Sequence, residues 1–193
     1  MASGQKPPLH WHPYQTEYFK VLSGSLTVEI EGEEIELTPE SQKLGVEPGL
    51  NHRLYPTPSS TDEELVMILS ATDAGIPFQL DLAFFENWYA YQDEILVHGG
   101  AVDVIQVMNM FDAGDSYLSF PSWVPCRNFL SYWTGVIVGR WVGSLLGYKP
   151  FHPEWTTDWV GACKKMETSI FQRRFAKRDL GEAVRKMAVK KVD

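Results

Sequence analysis

Turn signals recur at close spacing between residues 10 and 70. Ser23-Gly24, Glu31-Gly32 and Pro48-Gly49 each mark a tight reversal. The segments they separate alternate in the manner of half-buried strands. TEYFKVL puts Glu17, Phe19 and Val21 on one face, and LTVEIEGEEIEL is a hairpin around Glu31-Gly32 with Leu26, Val28 and Ile30 together. In NHRLY, His52 and Leu54 share a face, and ELVMILSA is a continuous apolar run that predicts a strand buried on both sides. At least six short strands therefore precede residue 72, which predicts a small antiparallel barrel or jelly roll.

Three of the five histidines lie in this region. His10 and His12 are two apart, so on a strand both leave the same face. Glu17 follows five positions after His12, and His52 lies two hairpin-like segments on. Two imidazoles, a carboxylate and a distant third imidazole converging from strands make a divalent transition-metal site with open positions. Taken alone, the His-x-His pair reads equally well as an accident of an N-terminal arm. His98 and His152 stand apart and read as ordinary loop histidines.

Charge narrows the choice of partner. The net charge is −8, and residues 1–160 hold seven Lys/Arg against twenty-one Asp/Glu, whereas 161–193 hold ten against four. An acidic front argues against nucleic acid. The two cysteines, Cys126 and Cys163, form neither a CxxC nor a disulfide framework, and MASGQKPPLHWH has no apolar signal core. Both features predict a reduced, intracellular, cytoplasmic protein.

After Thr72 the period changes. Leu80, Phe84, Trp88, Tyr91 and Ile95 form a helical stripe, AVDVIQVMNMF continues it to Asp112-Ala113-Gly114, and SFPSWVPCRN is a Pro-broken connector. The predicted organisation is a β domain over 1–75 and a helical, aromatic-rich region over 76–193. Within the latter, 129–148 carries Gly135, Gly139, Gly143 and Gly147 on one helix face and Leu130, Trp133, Ile137, Trp141 and Leu145 on another. Small residues at that spacing let a second helix approach closely. Arg140 at the centre of the run costs roughly 2.5–3.5 kcal/mol in a bilayer. Packing on protein is therefore the first reading, with membrane-interface contact second and a span third. The tail sets Trp159, Met166, Ile170 and Phe175 against Lys164, Lys165, Arg173, Arg174, Lys177 and Arg178, and Asp179 to Glu182 opens a last basic helix. Such a tail suits either solvent or an anionic membrane surface.

The histidine region resembles the cupin family. His10, His12, Glu17 and Gly24 match its first motif, and Gly45, Pro48-Gly49 and His52 match its second. Proline directly before glycine, and the lack of an asparagine at the usual place after His52, depart from the pattern. The chain as a whole is similar to small cupin-domain oxidoreductases of filamentous fungi, some encoded among polyketide-type biosynthetic genes.

The resemblance implies a cupin-type barrel holding a divalent metal on His10, His12, Glu17 and His52. Iron is the first choice, with manganese, nickel, zinc or copper as alternatives. It also implies a dioxygenase-like oxidoreductase acting on a small apolar oxygenated substrate, with an isomerase or cyclase and a non-catalytic membrane-associated binding protein as rivals. Phe19, Val21, Leu26, Val28 and Leu54 would form the apolar wall. Tyr14 is the nearest candidate proton donor, with packing at the rim as its plainer role. Only nine residues precede His10, fewer than the strands a cupin barrel has there. The expectation is that the barrel lacks its first strands, that a later segment or a partner chain in a homodimer supplies that edge, or that this is a shortened version of a longer protein.

Overall fold

The computed structural model describes residues 6–58 and 64–181. It resolves into two compact units, one of residues 1–75 with 115–131 and the other of 76–114 with 132–193. The predicted basic helix opened by Asp179 to Glu182 lies largely outside the described residues.

The first unit is built from eight short strands: β1 (His10–Trp11), β2 (Glu17–Ser23), β3 (Leu26–Ile30), β4 (Glu33–Leu37), β5 (Leu44–Val46), β6 (His52–Pro56), β7 (Val66–Ala71) and β8 (Tyr117–Leu118). They form a five-stranded sheet ordered β4-β3-β6-β1-β8 and a three-stranded sheet ordered β5-β2-β7, all pairings antiparallel. Phe19, Val21, Leu26, Val28, Leu37 and Val46 come from both sheets and form one core cluster between them. Alternation delivers this arrangement, because every second residue of β2 and β3 faces inward. Gly24 turns the chain at φ 73°, and a Cβ there would press at 3.1 Å on the backbone of Glu64 and Leu65.

One of the alternatives for the edge ahead of β1 is realised, and the reading of the 64–71 strand changes. The edge missing ahead of β1 is supplied by a later segment: β8 pairs with β1, placing His10 opposite Leu118 and Trp11 opposite Tyr117. β8 is then the outer strand of that sheet. Strand β7 is not buried on both faces; it is the edge of the smaller sheet, with Val66 43% and Ile68 52% exposed while Met67 and Leu69 pack on the core. A continuous apolar run cannot tell a central strand from an edge strand, since burial of its second face is a tertiary matter.

The second unit is helical. α1 (Leu82–His98) is capped by Asp81, whose carboxylate accepts from the Phe84 N–H, and ends at a left-handed Gly99. α2 (Val104–Ala113) is capped by Asp103 in the same way. The predicted 129–148 helix is α3 (Arg127–Thr134), whose first residues belong to the first unit, a π-helical stretch Gly135–Gly143, and a last turn, α4 (Ser144–Leu146), closed by left-handed Gly147. Its glycine face lies against α2 so tightly that a Cβ on Gly139 would stand 2.4 Å from the Met108 carbonyl oxygen. Asn109 of α2 donates to the Gly139 carbonyl at 2.7 Å. Capture of a helix carbonyl by a neighbouring side chain disturbs the regular ladder, which accounts for the wider π turn. Arg140 forms a two-pronged ion pair with Asp112, at 2.6 and 2.9 Å, and lies over the Phe78 ring. Among the described residues no helix is long and apolar enough to cross a membrane. α5 (Trp159–Glu167) brings Trp159, Ala162, Cys163 and Met166 onto Phe151, Ala83 and Ala113 to form this unit's core.

Candidate metal centre

Strand geometry assembles four side chains that sequence spacing alone leaves far apart. β1 pairs with β6 so that His10 stands opposite His52. His12, one residue beyond β1, returns to the same face two positions on. Glu17 is the first residue of β2 in the facing sheet. One ligand-type atom from each of His10, His12, Glu17 and His52 lies within 4.8 Å of all the others. The His10 and His52 ring centroids are 4.5 Å apart, and His12 lies 5.1 and 5.2 Å from the two. His12, Glu17 and His52 are each 3% exposed or less.

The rings are oriented alike. His10 Nδ1 lies 3.3 Å from the Pro8 carbonyl oxygen and His52 Nδ1 lies 3.0 Å from that of Leu50. His12 Nδ1 lies 3.1 Å from Ser116 Oγ and 3.4 Å from the Asp115 carbonyl oxygen. These acceptors select the tautomer with hydrogen on Nδ1, leaving the Nε2 lone pair as donor. Yet Nε2 of His52 faces Glu17 Oε2 at 2.9 Å, and Nε2 of His12 approaches the same oxygen at 3.4 Å without making a hydrogen bond. A neutral imidazole carries one N–H and cannot serve acceptors on both sides. A cation between the Nε2 atoms and the carboxylate satisfies all of them, so the residues fit a divalent transition ion through three nitrogens and one oxygen.

Electrostatics agree. Burial pushes the Glu17 carboxyl up, but hydrogen-bond and charge interactions with His12 and His52, which need hydrogen on Nε2 when no cation is there, outweigh it and hold the group well below the usual carboxylate range. Burial, reinforced by the neighbouring His52 and His12, holds His10 well below its ordinary 6.5, so its ring stays neutral and available as a donor.

Other expected residues fall elsewhere. Tyr14 occupies the bend between β1 and β2 and is 63% exposed, so it faces solvent rather than the buried cluster. His98 bonds the Glu94 carbonyl at the end of α1, and His152 pairs with Glu154. Phe19 approaches His52 edge-on at 6.4 Å, and with Val21, Leu26 and Val28 it belongs to the core cluster, where Leu54 packs at the margin. Sequence reasoning missed Asp115 and Ser116, which reach His12 from more than a hundred residues away, and no local pattern in that segment announces them. It also missed Asn51, buried behind the cluster. Asn51 donates to Glu31 at 2.7 Å and accepts from Ser119 at 2.5 Å, while Gly49 donates to the His12 carbonyl at 2.8 Å.

A Cupin domain family profile matches residues 1–69. An oxidoreductase of Arthrobotrys oligospora is 55% identical over 184 residues, covering 95% of this chain and 73% of that protein. Probable oxidoreductase yanE of Aspergillus niger is 47% identical over 186 residues, covering 96% and 72% respectively. Epoxidase atD of Aspergillus terreus is 47% identical over 168 residues, or 87% of this chain, which spans only 52% of that relative's length. No solved structure matches the chain at a significant level. Similarity that runs along nearly the whole chain, around a His-His-Glu-His cluster between two antiparallel sheets, shows that this protein belongs to the family of cupin-domain oxidoreductases represented by these fungal enzymes.

Proposed function

We propose that the protein is a metal-dependent, dioxygenase-like oxidoreductase in which His10, His12, Glu17 and His52 hold one divalent transition ion, iron first. The substrate is a small, apolar, oxygenated molecule of specialised metabolite biosynthesis. The observation that carries the reading is the four-residue cluster, with His12, Glu17 and His52 buried, in which the Nε2 atoms of His12 and His52 converge on one carboxylate oxygen. Three neutral imidazoles and one carboxylate leave a bound divalent ion with one net positive charge. When bound, the ion supplies Lewis-acid polarisation or O₂ activation. The chain does the rest. The Pro8, Leu50 and Asp115 carbonyls hold the rings in one tautomer, and Phe19, Val21, Leu26 and Val28 keep bulk water from the ligands. The relative named an epoxidase supports the oxygen-using version over an isomerase.

Metal analysis of purified, reconstituted protein is the first test, with one equivalent expected. Finding no bound metal sinks the catalytic reading. Oxygen uptake coupled to turnover of a candidate substrate then separates an oxygenase from an isomerase, because only the former stops under anaerobic conditions.

A further inference from the structure

Two of the three imidazoles in the cluster are steadied locally and one is not. His10 and His52 each direct Nδ1 to the carbonyl two residues earlier, at Pro8 and Leu50. The Gly49 N–H donates to the His12 carbonyl at 2.8 Å, so the backbone at His12 is tied to the second motif, but its ring has no such local acceptor. Its Nδ1 meets Ser116 Oγ at 3.1 Å and the Asp115 carbonyl oxygen at 3.4 Å, across 104 and 103 residues of sequence. Both partners are buried, Ser116 to 1% and Asp115 to 5% exposure. Asp115 is held at φ 51°, a left-handed conformation uncommon for a residue with a Cβ. The Tyr117 hydroxyl donates to its carboxylate at 3.2 Å. The strand that follows at once, β8, is the one paired with β1.

We infer that Ser116 is a positioning residue for the metal centre, the hydroxyl that fixes the ring angle of His12, whose tautomer the Asp115 carbonyl sets, so that Nε2 is presented to the ion. The inference rests on the metal-binding reading above. The Ser116 hydroxyl accepts from Nδ1–H of His12, with the Asp115 carbonyl oxygen as second acceptor. An outer partner of this kind raises the basicity of the ligand and removes its rotational freedom, and losing one typically costs 10–100-fold in metal affinity. Register and chemistry are thereby coupled, because the segment that completes the five-stranded sheet at β1 also carries the hydroxyl.

The test compares wild type with Ser116→Thr, Ser116→Val and Ser116→Ala. Thr keeps the hydroxyl, and Val matches Thr in shape without it. Affinity for Zn²⁺ is measured by competition with a chromophoric chelator, ligand geometry by the visible spectrum of the Co²⁺-loaded protein, and folding by thermal unfolding of the metal-free form. We expect Thr to bind within a few-fold of wild type. Val and Ala should bind about 10–100-fold more weakly with altered Co²⁺ bands, while metal-free Val unfolds close to metal-free Thr. Equal affinity and identical spectra for Thr and Val overturn the inference while leaving the metal reading intact. Failure of wild type itself to take up either ion overturns both.

Discussion

The two units each bury a carboxylate, and they compensate it in opposite ways. Asp112 in the helical unit has a side chain fully shielded from solvent and receives two hydrogen bonds from Arg140, a permanent cation carried by the neighbouring π-helical stretch. Glu17 in the β unit is 3% exposed and faces imidazoles; among the described residues no lysine or arginine pairs with it. A buried carboxylate without a counter-charge is expensive. One unit therefore carries its cation in the sequence, and on the proposed function the other leaves the place for an ion. On that reading the difference separates a structural ion pair from a binding site made of equally buried groups.

The comparison can be broken most sharply at Glu17. Glu17→Gln removes the charge that balances the ion, and metal stoichiometry measured by plasma spectrometry should fall from one equivalent to near zero, together with turnover. Retention of a full equivalent would place the ion elsewhere. The matching change in the helical unit, Arg140→Ala, should cost about 3–5 kcal/mol in denaturant unfolding, because it strands Asp112 without its partner. The folded fraction should still bind metal at full stoichiometry, and loss of metal there would mean that the two carboxylates are not independent.

Removing the ion from wild type with a chelator should lower stability by about 2.7 kcal/mol if the protein had been held at a hundred times its dissociation constant. The same chelator should leave Glu17→Gln unmoved in a thermal melt. At Gly139, substitution by Ala forces a Cβ against the Met108 carbonyl and should cost about 1–3 kcal/mol with metal affinity unchanged.

The smallest effect is on pH. His10 is held neutral in the fold, while the unfolded chain takes up its proton below about 6.5. The unfolded state then binds more protons, so the metal-free protein should lose stability as pH falls below 6.5, by at most about 1.4 kcal/mol per pH unit from this group. Glu17, held low, adds to the loss once pH falls below 4.5, where the unfolded carboxyl protonates. His10→Gln should flatten the upper part of that profile in urea unfolding followed across pH.

Much of the site was legible because its parts are local. The spacing of His10 and His12 sets them on one face, and the turns at Gly24 and Gly49 (φ 73° and 84°) bring the next strands back. Alternation in TEYFKVL and LTVEI correctly assigned Phe19, Val21, Leu26 and Val28 to the interior. The glycine face of residues 135–143 announced a close helix approach, which α2 provides. Less could be read where a second partner decides. Val66 and Ile68 look like core residues in sequence and are exposed, because nothing in a strand's own pattern says how many layers will cover it. Tyr14 lies between two ligands in sequence, yet the bend it occupies turns it outward.

The sequence by itself determined the strands on either side of the Gly24 and Gly32 turns and the common face of His10 and His12, which follow from spacings of a few residues, and offered Glu17 and His52 as further candidate metal-ligating residues. Only the tertiary structure decided that His10 would sit opposite His52, that Tyr117–Leu118 would close the edge beside His10, and that Ser116 would reach the His12 ring. A period of two is a property of one strand. Which strands become neighbours across a hundred residues depends on the packing of the whole unit, where the free energy of burial outweighs the entropy of closing so long a loop.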